Sequence, residues 1–507
     1  ITVAGAGGKS LGGAGAIGVN LSRADVSALI DNTGAAAGTK VLAEAGAVSV
    51  SAQDASRIVT ATGALGISLT QGASAAIGAS VSVADMRNDV RAAIAGATVT
   101  AESVQVRAEE RASIYNVSVG LAGGAGVAVS GSVAVNTIQN TVHAQIRDAS
   151  VTATAGDIRI AARDMASIAA LAGNVSVSVG GRVAAGMAFA VNQIFDTVYA
   201  GAVRSSLSAA GDIVVLSTFA KPDDLSPGLN AQISAMAVSG AVAAGGSGAN
   251  VGFGGSAVLN WIANTITAEI GDTVSGQDVV ADGDIVVQAS DESTINSLAG
   301  AVALGLGSQG ASVAVGASLS YNYLGGAPAG NAREHSVSAL IRDTQGAVRG
   351  AHVQVASLFT GQIHNVTVAG SVAVGTAAVS VGGAVSVNRV NSKNEAGIRN
   401  ARLVEALSSG GAPGVAVQAR DDGYVLAVAG GLGVAVSPGS GAGIAAGVSA
   451  TDNTVRNNTL AYIDGSSVSD ANARTQIGSA NGIAVDAINE SRIVSTSIGV
   501  AAAVAVG

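Results

Sequence analysis

The sequence predicts an all-β fold, an elongated repeat array of the β-solenoid (β-helix-like) kind with stacked Gly/Ala-rich β-hairpins. Three observations lead there. One short strand recurs about eight times, in units of roughly 62 residues. Within each copy the residues alternate with period two, the signature of a half-buried strand. The composition combines 49% hydrophobic residues and 70 Gly with only 2% aromatics, so the core must be built from Val, Ile and Ala at close approach.

The recurring strand is clearest from Val135 to Ile146. Its opening Asn136 returns as Asn20, Asn192, Asn260, Asn322, Asn388 and Asn453, with Ala84 in one copy. Eight residues on comes Ala28, Ala92, Ala144, Ala200, Ala268, Ala396 or Ala461, and two further Ile30, Ile94, Ile146, Ile270, Ile398 or Ile463. The Tyr321-Asn322 copy makes a longer excursion and rejoins at Ala339 and Ile341. These offsets are even, so Asn136, Ile138, Asn140, Val142, Ala144 and Ile146 share one face of a strand, and Thr137, Gln139, Thr141, His143 and Gln145 share the other. An Asn on an apolar face is costly unless its amide finds a partner. Stacking one copy on the next supplies that partner as an amide ladder.

Around this strand each unit adds two parts. Ser113 to Ala134 reads as a Gly/Ala-rich hairpin turning at Leu121–Gly126, with small or apolar residues on both faces, as in strands buried on both sides. Gly156-Asp157 then opens Ile158–Arg163, and the same step returns at Gly211-Asp212 and Gly283-Asp284. Two arrangements satisfy this pattern: a solenoid thickened by a hairpin layer, or a plain unit of three short rungs. The four longest irregular stretches are Phe219 to Gln232, Gly325 to Glu334, Ala406 to Gly414 and Gly465 to Gly482. Loops on a rigid array are where recognition residues would sit. All five prolines fall in loop-like stretches. The chain starts and stops inside strand patterns, which reads as a segment of a longer polypeptide.

The run Ala144 to Ala153, followed by Gly156 to Ala162, resembles the rungs of filamentous-haemagglutinin-like adhesins and autotransporter passengers. That resemblance implies a secreted right-handed β-helix on a bacterial surface, an extracellular stalk or adhesive fibre. The long Gly/Ala hairpin departs from the plain passenger pattern and is more similar to very large repetitive surface proteins.

Little in the chain points to chemistry. Cysteine is absent, which removes disulfides, thiolate catalysis and Cys-ligated zinc. A net charge of −9 argues against nucleic acid, which needs a basic stripe. Val3 to Ser10 has the look of a phosphate loop but carries Val3 where Gly is required, and no helix pattern follows. Gly13–Gly18 and Gly305–Gly310 match a dinucleotide fingerprint, and Gly8–Gly12 a nucleophile elbow, again without helices. His143, His335, His352 and His364 fall at different places in their repeats, and His143, on the polar strand face, reads as a solvated side chain. The acidic pairs Asp223-Asp224, Asp291-Glu292 and Asp421-Asp422 read as solvated loops. The calcium pattern of secreted β-rolls is missing, so no cofactor is expected beyond incidental calcium.

The expectation is a non-enzymatic stalk or adhesive fibre at the bacterial cell surface. Its partners would be itself, neighbouring repeats of the same long chain, or a host or neighbouring-cell surface. The alternatives are a self-assembling filament or sheath, a β-helix carbohydrate-active enzyme and an outer-membrane β-barrel. A barrel would need aromatic girdles, and the enzyme a carboxylate pair in a groove.

Overall fold

The structure, a computed structural model, describes all residues except 33–37, 71–73, 181, 223–230, 246–247, 327–332, 412, 439–440, 466–474 and 507. Asp223-Asp224, Pro227, Pro328 and parts of the four irregular stretches therefore lie outside the described residues. Among those described, every regular element is a strand, 41 in number.

One unit is one coil of five strands. The first coil runs through Thr2–Gly8, Leu11–Ser22, Asp25–Asp31, Thr39–Leu42 and Ala47–Asp54, and Arg57–Ser68 begins the second. Equivalent strands of successive coils pair in five parallel sheets, here A to E in order of appearance; sheet A has nine strands and the others eight. Asn136 therefore pairs with Asn192, Asn192 with Asn260, and Asn260 with Asn322. Coils differ in length only at their corners. With about 4.8 Å between paired strands, eight steps raise the chain by about 38 Å. Most of each coil is spent on width.

That width has two parts. A body is enclosed by the start of sheet A, the end of sheet B, and all of C, D and E. Its core is one continuous cluster of Ile, Val and Ala with Phe219 and Phe359. From one corner a flat fin projects, made of the long arms of sheets A and B. Its interior is Ala, Gly and Ser: Ala303, Ala314, Ala373, Ala378 and Ala435 form one dry cluster, and Ser80–Ser118, Ser130–Ser176 and Ser371–Ser380 bridge the sheets at 2.7–2.8 Å. A Cβ on Gly78 or Gly431 would overlap the carbonyl oxygen of Leu121 or Val448 on the facing arm. Glycine is thus what allows two backbones to meet across the fin.

The Gly/Ala-rich element is therefore an arch. Its arms lie in different sheets, and each bonds to its counterpart in the next coil rather than to the other arm. The apolar span Leu298 to Leu319 is one such arch. Neither a plain three-rung unit nor a hydrogen-bonded hairpin layer describes the coil. Every ladder between strands is parallel and every sheet has two edges, unlike a closed antiparallel wall. The run Val135–Ile146 is also two strands, Val127–Ile138 in sheet B and Thr141–Arg147 in sheet C. Inside–outside alternation continues through the corner at Gln139-Asn140, so the facing read from the sequence holds across it. Pro438 ends the strand Tyr424–Pro438 instead of lying in a loop.

The C-to-D corner holds one left-handed residue in each of coils two to seven: Gly96, Asp148, Arg204, Asp272, Asp343 and Asn400, with φ of 47–61°. Gly, Asp and Asn accept this conformation readily. Arg204 is held there by two bonds to Asp148 of the coil before, at 2.7 and 2.9 Å.

Candidate functional site: buried side-chain ladders at the neck of the fin

Where the fin meets the body, sheet B turns into C opposite the turn from E into A. Two ladders of polar side chains run through this neck. The first is the repeated Asn. Nδ2 of Asn136, Asn192, Asn260, Asn322 and Asn388 each donates to Oδ1 of the Asn in the following coil, at 2.8–2.9 Å. Asn116 of sheet A donates to Asn136 from across the fin at 2.6 Å. Ala84 interrupts the series, so Asn20 donates to Thr60 instead. The Ala residues stack one coil along, Ala28 on Ala92, then Ala144, Ala200 and Ala268. Ala339 fills the place between Ala268 and Ala396, and Ala461 follows. Ala92 to Ala396 are fully buried, and Ala28 and Ala461 in the end coils are half-buried.

The second ladder stands at the corner itself, at the position of Asn140. A backbone N–H of one coil donates here to the side chain of the next: Asn88 to Asn140, Asp196 to Asn264, and Asn264 to Nδ1 of His335. Opposite lie the last inward residues of sheet E: Asp54, Glu110, Asp164, Phe219, Asp291, Phe359 and Asp421. Asn88 Nδ2 donates to Asp54 at 2.8 Å and to Glu110 at 3.3 Å. His335 accepts a backbone N–H at Nδ1, so its proton is on Nε2, which lies 3.2 Å from Asp291 Oδ2. Asp421 accepts from Ser392, Gly423, Asn457 and Ser491.

These groups are no more than 3% exposed, apart from Asp54, Asn457 and Ser491. Burial favours neutral carboxyls. It pushes Glu110 up to about 9, with help from the Asp54 charge. It pushes Asp196 up to about 7 and Asp164 well above the ordinary carboxylate range. The charges of Asp196 and Glu110 nearby add to the rise at Asp164. Asp421 is raised less, because four donors favour its charged form.

A third ladder explains the Gly-Asp step. Asp157 Oδ1 accepts from Asp212 N, Asp212 Oδ1 from Asp284 N, and Asp284 Oδ1 from His352 N, at 2.8–3.1 Å. A side chain at Gly211 or Gly283 would collide with the Asp oxygen of the preceding coil.

Two readings from the sequence are corrected here. Asp291 and Asp421 are not solvated: they are fully buried, while Glu292 and Asp422 beside them face outward. His143 is half-buried, packed 5.4 Å from Tyr199, and its pKa is lowered by burial. The neck carboxylates and His335 were missed, yet a signal existed. Ile158, Ile160, Ala162 and Asp164 follow one alternation, which puts Asp164 inside. Gly13–Gly18 lies within a strand of sheet B, and Gly305–Gly310 ends a sheet-A arm at the arch tip.

Among the described residues no group of three or more His, Asp or Glu side chains is placed to hold a metal ion. Most polar rungs of the neck bond to a rung of the neighbouring coil, and a coil slipped along its strand would leave those groups buried and unpaired. Compared with known proteins, the chain matches no family model, no curated protein and no solved structure.

Proposed function

We propose that this chain is a load-bearing, non-catalytic segment of a bacterial surface protein, a stalk or adhesive fibre of the extracellular face. One observation carries the reading: five parallel sheets continue through all eight coils, and buried side-chain ladders tie each coil to the next. Force applied along the axis is shared by all five sheets of a coil. Wide coils resist bending more than narrow ones, since material far from the axis contributes most to stiffness. The uncharged Asn ladder adds register without adding charge to the core. The resemblance of the rung segments to secreted adhesins supplies the location.

The test is single-molecule extension of the full chain between terminal handles. The reading expects coils to resist pulling and to release one at a time, each adding about sixty residues of contour length. Release of the whole chain in one step at low force would reject it. Turnover of a polysaccharide by the purified chain would point instead to a carbohydrate-active enzyme.

A further inference from the structure

Glycine occurs on both sides of sheet A, for different reasons. On the fin interior a Cβ at Gly66, Gly120 or Gly431 would overlap facing backbone. On the outer side nothing inside the molecule requires it: a Cβ at Gly370 meets no atom within 4 Å, and at Gly173, Gly240 and Gly300 its nearest contacts are at 3.9–4.0 Å. Glycine weakens a strand interior by removing a packing partner and adding chain entropy. Exposed glycines with room for a side chain therefore call for an explanation from outside the coil.

Their arrangement offers one. Down one column of sheet A the paired residues run Val3, Gly63, Val119, Gly173, Val238, Gly300, Val368, Gly430 and Ile498, alternating at every step. In the neighbouring column Val175, Gly240, Val302, Gly370 and Leu432 alternate in the opposite phase, and the alternation stops at Leu121 on one side and Val500 on the other. The result is a checkerboard of branched knobs and empty holes. The knobs are exposed: Val302 by 51%, Val368 and Leu432 by 43%. The arms Ser113–Gly124, Ser167–Val179, Ile233–Gly245, Thr294–Gly307 and Tyr424–Pro438 contain no charged residue. A groove of about 530 Å³ beside it, lined by Leu171, Met236, Leu298 and Val366, extends the apolar surface to the fin's base.

We propose that the outer face of sheet A is the interface between two copies of this chain, packed face to face with the knobs of one in the holes of the other. A checkerboard shifted by one coil is complementary to itself, which no unrelated partner need be. The face also has the size. Eight strand spacings by about twelve residues is on the order of 1,400 Å². That exceeds the roughly 800 Å² per partner of a standard interface and the few hundred Å² of apolar surface that monomers commonly leave open. The outer face of sheet B has one alternating column, Gly15, Ala79, Gly131, Met187, Gly255, Ala317, Gly383 and Val448, but two of its knobs are only Ala and the columns on either side hold no glycine except Gly13, so no second column in opposite phase completes a checkerboard. The inference is independent of the surface role proposed above.

The test is sedimentation velocity on the full chain from 0.1 to about 50 μM. The wild type is expected to be a dimer. Gly300→Ile with Gly370→Ile fills two holes where the coil itself has space, so the variant should keep or raise its denaturation midpoint. It should nevertheless raise the dimer dissociation constant at least tenfold, about 1.4 kcal/mol of binding. Val302→Lys should do the same, and Met187→Lys on sheet B should not. A wild type that stays monomeric throughout overturns the proposal, whether or not it floats with phosphatidylcholine vesicles. So does a dimer indifferent to all of these changes.

Discussion

The body and the fin are cut from the same coils yet hold together by different means. The body encloses side chains of ordinary size, and its Ile and Val core could absorb a modest change by repacking. The fin has almost no side chains to move: Ala, Gly and Ser bring two sheets so close that backbone faces backbone. Outside, the contrast reverses. The body presents Arg, Asp and Glu, with ion pairs such as Arg342 to Glu269 and Asp272, whereas the fin presents Val, Leu and Met. A repeat of small residues can thus build a thin, stiff blade only by leaving its larger apolar residues on the outside.

The largest effect should come from the fin interior. Gly431→Val cannot be relieved by rotating a side chain, because the obstacle is the Val448 carbonyl; the arms must part, at about 4 kcal/mol, beyond the usual range for overpacking. Ala144→Leu in the body should cost less, about 1–3 kcal/mol. Equal losses in chemical denaturation would erase the distinction.

The neck should make stability depend on pH. Glu110 and Asp196 have raised pKa values in the folded chain, so the folded state binds protons more tightly than the unfolded one. Their contribution is fully present below about pH 4 and is lost as the pH rises through about 7 for Asp196 and about 9 for Glu110. Between pH 5 and 8 the two groups together should lose on the order of 6 kcal/mol. Glu110→Gln with Asp196→Asn should flatten that slope in urea denaturation series; an unchanged slope would mean that the neck admits water.

Asn260→Leu breaks two rungs and strands the amide of Asn192 and the carbonyl of Asn322, at about 2 kcal/mol. Ser at this position can donate and accept but is a bond shorter than Asn, so its hydroxyl should recover only part of it. Thr141→Val on the body exterior should shift stability by no more than about 0.5 kcal/mol.

Much of this was legible in the sequence because a stacked repeat writes the same residue at the same offset. Asn136 and its counterparts, the Ala column and the Gly-Asp step were all visible this way. The corner at Gln139-Asn140 was invisible because side-chain alternation passes through it unchanged. The arch was hidden because alternation reports which face a residue occupies and says nothing about which strand it bonds. The neck carboxylates escaped because the position changes type from coil to coil, from Asp164 to Phe219 to Asp291, while a neighbouring Glu or Arg made each appear solvated. The checkerboard is legible only when the pairing of Gly300 with Val368 is known, since it runs across strands.

The central claim is that each coil rests in register on the one before, and spin-label distances test it directly because the chain has no cysteine of its own. Pairing places Thr141, Thr197, Thr265, Ser336 and Lys393 in one column of sheet C, which reaches back to Asp25 and on to Asn458. Labels on Thr141 and Lys393, four coils apart, should lie about 19 Å from each other, and labels on Asp25 and Asn458, seven coils apart, about 34 Å. Distances that fail to grow in proportion to the number of coils between the labels would contradict the stack.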